Sequence, residues 1–170
     1  MTRGERSSRA GEVHDGGWPF PRVDAPRILV VDDDDELRAA IAQILARDGY
    51  EVVQAASGQQ AIDTLEVLSL RQWSQRPVDL VLTDLRMSDM SGLHIVDLIR
   101  TARWPISAIV MTAFPDKAIE AEAERLQVPL LQKPFRLDML RRIVLCLLAT
   151  QAKARVANDV DAKGVGKPTS

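Results

Sequence analysis

At 170 residues, with 46% hydrophobic and 27% charged side chains, the chain is long enough for one domain with a real core and short for two. A formal net charge of −2 excludes a global basic field for holding nucleic acid, and a single cysteine, Cys146, excludes an intrachain disulfide. The longest apolar run, Ile143 to Ala149, is too short to cross a bilayer, and the N-terminus lacks the apolar stretch of a signal peptide, so a cytoplasmic location is expected.

In chain order, residues 1–26 are rich in Gly, Pro, Arg and Ser without a sustained period and are expected to form a mobile tail. The domain is expected over residues 27–150, opening with the strand RILVVD at 27–32. A helix follows, with Leu37, Ile41, Ile44 and Leu45 on one stripe and Asp48-Gly49 as its stop. Next come a strand YEVVQA at 50–55 and a helix from Ser57 to about Leu70 that turns Ala61, Ile62, Leu65 and Leu68 inward. The strand VDLVLTD at 78–84 precedes a helix starting near Ser91, and ISAIVMT at 106–112 precedes one starting near Pro115. The last strand is VPLLQ at 128–132, and the last helix carries Leu137, Leu140, Ile143, Val144, Leu147 and Leu148. Residues 151–170 read as a second mobile tail. Five β-α units in strict alternation, with strands apolar enough to be buried on both faces, predict an α/β fold: a doubly wound parallel sheet of five strands with five flanking helices. The flavodoxin-like order 2-1-3-4-5 makes the first and third strands neighbours.

In such a sheet, ligands sit beyond the carboxyl ends of the strands, where the winding direction reverses. The first strand ends in VVDDDDE, which puts Asp32 and Asp33 at its tip, and the third ends in LTD, which puts Asp84 at its own. Three carboxylates in one crevice raise one another's pKa unless a cation compensates them, and sparse hard oxygen ligands suit Mg²⁺. The fourth strand adds the hydroxyl of Thr112, and the fifth is followed by Lys133-Pro134-Phe135, which adds an ammonium.

These motifs, VVDDDDELR, LVLTDLRMSDMSGL, IVMTA and LLQKPF, stand in the order seen in the receiver domain of two-component response regulators, which the chain resembles over roughly residues 27–148. The resemblance implies that Asp84 accepts a phosphoryl group from a phosphohistidine donor, a histidine kinase or phosphotransfer protein. It implies that Asp33, Asp84 and the backbone carbonyl of Arg86 bind Mg²⁺ directly, with Asp32 acting through metal-bound water. Thr112 and Lys133 would hold phosphoryl oxygens, and the Lys133-Pro134 peptide would be cis. It implies a phosphoacceptor signalling domain rather than an enzyme acting on other molecules.

Simpler explanations cover part of this pattern. Asp34, Asp35 and Glu36 are accounted for by the acidic first turn of a helix, whereas a strand tip gives Asp32 and Asp33 no such reason. Thr112 taken alone is an ordinary strand residue, and Lys133 alone an ordinary surface lysine. His14 and His94 have no partners at metal-binding spacing, and Trp18, Trp73 and Trp104 fall in a tail and in loops.

The family pattern is broken at Met87-Ser88, where Met-Pro is usual, and at Leu130, where an aromatic switch residue is usual. Arg86 and Phe114 occupy the two variable positions that border the approach of water to the phosphoacceptor. Two other readings stay open: a phosphorylation-independent pseudo-receiver, and a haloacid-dehalogenase-like phosphatase built on Asp32 and Asp34. Neither tail suits an output domain, so action through a downstream protein partner is expected, without nucleic acid or membrane. The apolar surplus on the last helix predicts a weak homodimer.

Overall fold

Strands form where leucine and β-branched residues run unbroken, and helices where the apolar spacing changes to three and four. In a computed structural model, which describes residues 25–70 and 77–163, the elements alternate as expected. They are β1 (Arg27–Val31), α1 (Asp35–Arg47), β2 (Glu51–Ala55), α2 (Gly58–Leu70) and β3 (Leu80–Asp84), followed by α3 (Gly92–Thr101), β4 (Ser107–Thr112), α4 (Lys117–Arg125), β5 (Leu130–Gln132) and α5 (Leu137–Lys163). All strand pairs are parallel and the order is β2-β1-β3-β4-β5, the flavodoxin-like winding.

Alternate strand residues face opposite sides of the sheet, and each side is covered. Ile28, Val30, Leu80, Leu82, Ile109 and Met111 pack with Ile41 and Leu45 of α1 and Leu140, Val144 and Leu148 of α5. Leu29, Val31 and Val81 meet Ala61 and Leu65 of α2 and Ile95 and Ile99 of α3. Ala108 and Val110 meet Val96 of α3 and Ala123 and Leu126 at α4. The expected stripes of α1 and α2 are thus inward, with Ile44, Ile62 and Leu68 half-buried at their margins. Tyr50, at the entry to β2, is buried too, and burial together with the nearby Asp48 charge pushes its phenol up to about 12.

The helix ends are capped locally. Asp34 accepts from the Glu36 and Leu37 N–H groups at 3.0 Å each, Ser91 accepts from Leu93 N, and Asp116 accepts from Ile119 N. Gly49 follows α1 with φ 94°, the left-handed turn that favours glycine at a helix end.

Several strands are one or two residues shorter than expected, β3 starting at Leu80 rather than Val78, and two differences have a clear cause. β5 covers only Leu130–Gln132, because the Val128 N–H turns back to the Ala123 carbonyl and Pro129 has no N–H to give a ladder. Helix α5 does not end at 150 but runs on to Lys163, through much of the stretch expected as a tail. The residues concerned, QAKARVANDVDAK, contain several strong helix formers and neither Gly nor Pro, and the first breaker is Gly164. Their polarity hides the helix from a search for apolar periodicity. The N-terminal segment to residue 24, with His14 and Trp18, and Trp73 lie outside the described residues.

Candidate functional site

Sheet register brings the sequence-predicted residues to one edge. Val31 lies opposite Thr83, so Asp32, one step on, is level with Asp84. Asp84 lies opposite Met111, and Thr112 opposite Gln132, so Thr112 and Lys133 each stand one step past their neighbour. Backbone bonds past the ladder hold that level: Leu85 N donates to Met111 O at 2.8 Å, and Lys133 N to Thr112 O at 2.7 Å. The Lys133-Pro134 peptide is cis.

Within this edge the lysine joins two acids. Its Nζ lies 2.6 Å from Asp84 Oδ1 and 3.0 Å from Asp32 Oδ2. Asp84 is 9% exposed and its second oxygen accepts from the Arg86 N–H at 2.7 Å, while Asp32 is 1% exposed and accepts from the Asp34 N–H at 3.0 Å. Burial raises the Asp32 pKa above its ordinary 3.8 and the Asp84 charge adds to this, against the lowering effect of the Asp34 N–H and Lys133. Burial alone would lower the Lys133 pKa, but hydrogen bonds and charge from Asp84 and Asp32 outweigh it and hold the ammonium above 10.5.

Asp33 is exposed, and its Oδ2 accepts from the Ser88 N–H at 3.1 Å. Thr112 is buried, and its Oγ1 accepts from the Phe114 N–H at 3.3 Å. Arg86 and Phe114 are both exposed at the rim, Phe114 by 74%. Leu130 is half-buried beside Val110 and Ala123. His94 is exposed on α3. The Asp34 side chain caps α1 through Oδ1, which accepts from the Glu36 and Leu37 N–H groups.

Two carboxylates share one ammonium here, Asp33 follows Asp32 in the chain, and the donor set is hard oxygen, so the residues fit a divalent cation such as Mg²⁺. They do not yet converge as a cage: among the described residues, no three acidic, histidine or cysteine side chains form a ready cluster. Lys133 draws Asp32 and Asp84 to itself, and Ser88 holds Asp33.

Gly92 packs directly against the end of β3. A Cβ on it would come within 2.2 Å of the Asp84 carbonyl oxygen and 2.9 Å of the Thr83 side chain, so only glycine permits this approach of α3 to the end of β3. Sequence reading overlooked Asp89, whose carboxylate accepts from Gly58 N at 3.1 Å and Gln59 N at 2.8 Å and so caps α2 from another loop. A partner 30 residues away leaves no local signal.

A doubly wound five-stranded sheet with an acid pair, a lysine-bound aspartate, a threonine and a cis Lys-Pro at one edge defines a narrow class. The sequence matches the response regulator receiver domain family over residues 28–145, and the chain belongs to that family. It is 32% identical over 119 residues to sporulation initiation phosphotransferase F of Bacillus subtilis, an alignment that covers 69% of this chain and 90% of that protein. It is also 32% identical over 127 residues to the regulatory protein AtoC of Escherichia coli, covering 74% of this chain and 26% of the longer relative.

Among solved structures, it resembles a CheY-like receiver domain protein from Methanospirillum hungatei, with TM-score 0.69, 24% identity, and coverage of 77% and 99% of the two chains. It likewise resembles the response regulator TrrA of Thermotoga maritima in complex with Mg(2+)-BeF, with TM-score 0.62, 28% identity, and coverage of 72% and 98%. Among the described residues, no helix is long and apolar enough to cross a membrane.

Proposed function

We propose that this receiver takes a phosphoryl group onto Asp84 from a histidine kinase or phosphotransfer protein and passes the resulting signal on by protein contact. The observation that carries the reading is the Lys133 ammonium bridging Asp84 and Asp32 at adjacent strand tips. An Asp84 carboxylate oxygen forms the new O–P bond as the P–N bond of the phosphohistidine breaks, and the departing imidazole keeps the bonding pair. Phosphoryl transfer of this kind asks for positioning and neutralisation of spread oxygen charge more than for covalent help.

Each residue has a part in that task. The Arg86 N–H and Lys133 orient the Asp84 carboxylate before transfer. Lys133 then turns to a phosphoryl oxygen as a point charge, and the Thr112 hydroxyl supplies a second donor. Asp32, Asp33, Asp84 and the Arg86 carbonyl would hold Mg²⁺, which when bound supplies charge to steady the transferring oxygens. The donor chemistry at the strand tips and the Mg(2+)-BeF complex of the Thermotoga relative support this set. Leu137, Met139 and Leu145, exposed on α5, support a contact surface for a second copy or a kinase helical domain. A cytoplasmic setting suits such a donor.

Intact mass after incubation with acetyl phosphate and Mg²⁺ tests the reading. One phosphate adduct on the wild type and none on Asp84→Ala is the expected result. Equal labelling of both, or no label on either, overturns it.

A further inference from the structure

The segment joining β3 to α3 is pinned at two points, one of them at Arg86 and the other at Asp89, outside the cation residues. Arg86 and Ser91 form an antiparallel bridge across it, and the Asp89 carboxylate ties it to the first N–H groups of α2 at 3.1 and 2.8 Å. From this fixed segment the Ser88 N–H reaches out to Asp33 Oδ2 at 3.1 Å. Asp33 is exposed, and its carboxylate turns on two side-chain torsions, whereas the loop that grips it is held on both sides.

Gathering a cation between Asp32, Asp33 and Asp84 requires their carboxylates to converge, and in the gripped arrangement they form no such cluster. The Ser88 N–H occupies the Asp33 Oδ2 oxygen, so a cation that takes this oxygen displaces the amide from it.

We infer that the Ser88 N–H is a latch that competes with Mg²⁺ for the Asp33 carboxylate, so that cation binding and release of this amide are one coupled event. The inference rests on the cation site proposed above. A backbone N–H held by an ionised carboxylate is a charge-assisted bond, stronger than a neutral one, though exposure here reduces its net worth. A proline at position 88, the residue the family pattern carries, has no N–H to offer and would leave Asp33 uncommitted. This chain therefore weakens its own cation site through a main-chain group, and the side chain of Ser88 plays no part.

The experiment is a Mg²⁺ titration of the whole chain, read by calorimetry and by the Ser88 amide resonance, in wild type, Ser88→Pro and Ser88→Ala. Ser88→Pro is expected to bind Mg²⁺ roughly three- to tenfold more tightly, the range open to an exposed charge-assisted hydrogen bond. Ser88→Ala, which keeps the N–H, is expected to match wild type. In wild type the Ser88 amide should move upfield and lose protection from exchange in step with occupancy.

Unchanged or weaker binding in Ser88→Pro overturns the latch, as does an amide that stays protected while Mg²⁺ saturates the site. If Ser88→Pro does not fold, the wild-type amide decides alone. A wild type with no Mg²⁺ response brings down both the latch and the cation site, whereas a response without change at Ser88 brings down the latch only.

Discussion

Buried aspartates stand at both ends of this sheet, and they are treated in opposite ways. At the amino edge, Asp79 just ahead of β3 is 5% exposed and accepts from the Arg27 N–H at 2.7 Å, which ties β3 to β1; the Arg27 guanidinium reaches Glu51 of β2, also at 2.7 Å. At the carboxyl edge, Asp32 and Asp84 share one ammonium with a third acid beside them. The first arrangement is a structural fastening. In the second, burial, with the Asp84 charge adding to it, holds the Asp32 pKa above its ordinary 3.8 despite Lys133. A buried acid by itself therefore says nothing of function; what separates the two edges is whether one acid ties two strands together or two acids converge on one ammonium.

The strongest way to break this comparison is to remove the compensating charge. Lys133→Met leaves Asp32 and Asp84 buried without their cation, and stability to urea at neutral pH is expected to fall by about 3 kcal/mol. Added Mg²⁺ should restore part of that loss, because a cation that binds only the folded chain stabilises it. A variant as stable as wild type without Mg²⁺ would mean that the carboxyl edge is no more strained than the amino edge.

A smaller loss is expected at the fastening. Asp79→Ala leaves the Arg27 N–H without this acceptor and should cost about 2 kcal/mol, measured by the same urea transition. The extent of Asp84 phosphorylation by acetyl phosphate, measured by intact mass, should not change.

The smallest effect sharpens the contrast, because Asp89 lies in a loop at the carboxyl edge yet serves structure. The Gln59 N–H, and with it that of Gly58, holds the Asp89 carboxyl below its ordinary 3.8. A carboxyl lowered by folding contributes stability that is present above its unfolded pKa and lost as pH falls through the folded one. Asp89→Asn should therefore cost no more than about 0.5 kcal/mol at neutral pH, the scale of an exposed charge at a helix terminus. The difference from wild type should shrink as pH falls below the ordinary carboxyl range and through the lowered folded pKa. Thermal melts across that range in wild type and variant measure it.

The fold was legible because each strand is a short apolar run buried on both faces, and the turns between runs leave little choice of winding. The strand tips were legible for a related reason: Asp32 and Asp84 interrupt those runs where an ordinary buried strand would not carry an acid. Thr112 and Lys133 became visible only through their order relative to the acids. What escaped notice depends on groups distant in sequence. The Ser88 N–H meets Asp33 across 55 positions, and Asp89 meets Gly58 across 31, and neither contact has a local composition or period to announce it. The continuation of α5 escaped because a solvated helix can rest on propensity alone, with no apolar stripe to mark it.

That continuation has a mechanical consequence. α5 is clamped along its first half by Leu140, Val144 and Leu148 in the core, by Arg141 against Asp48, and by Gln151 against the Pro105 carbonyl. Beyond Gln151 twelve more residues continue to Lys163, a rod of roughly 18 Å at the helical rise per residue. With its fulcrum at the clamp, such an arm turns a tilt of about 10° into a sweep of about 3 Å at its tip by the same rigid-rod geometry. Small adjustments under the sheet are thus magnified at a point well outside it, in the manner of a pointer on a dial.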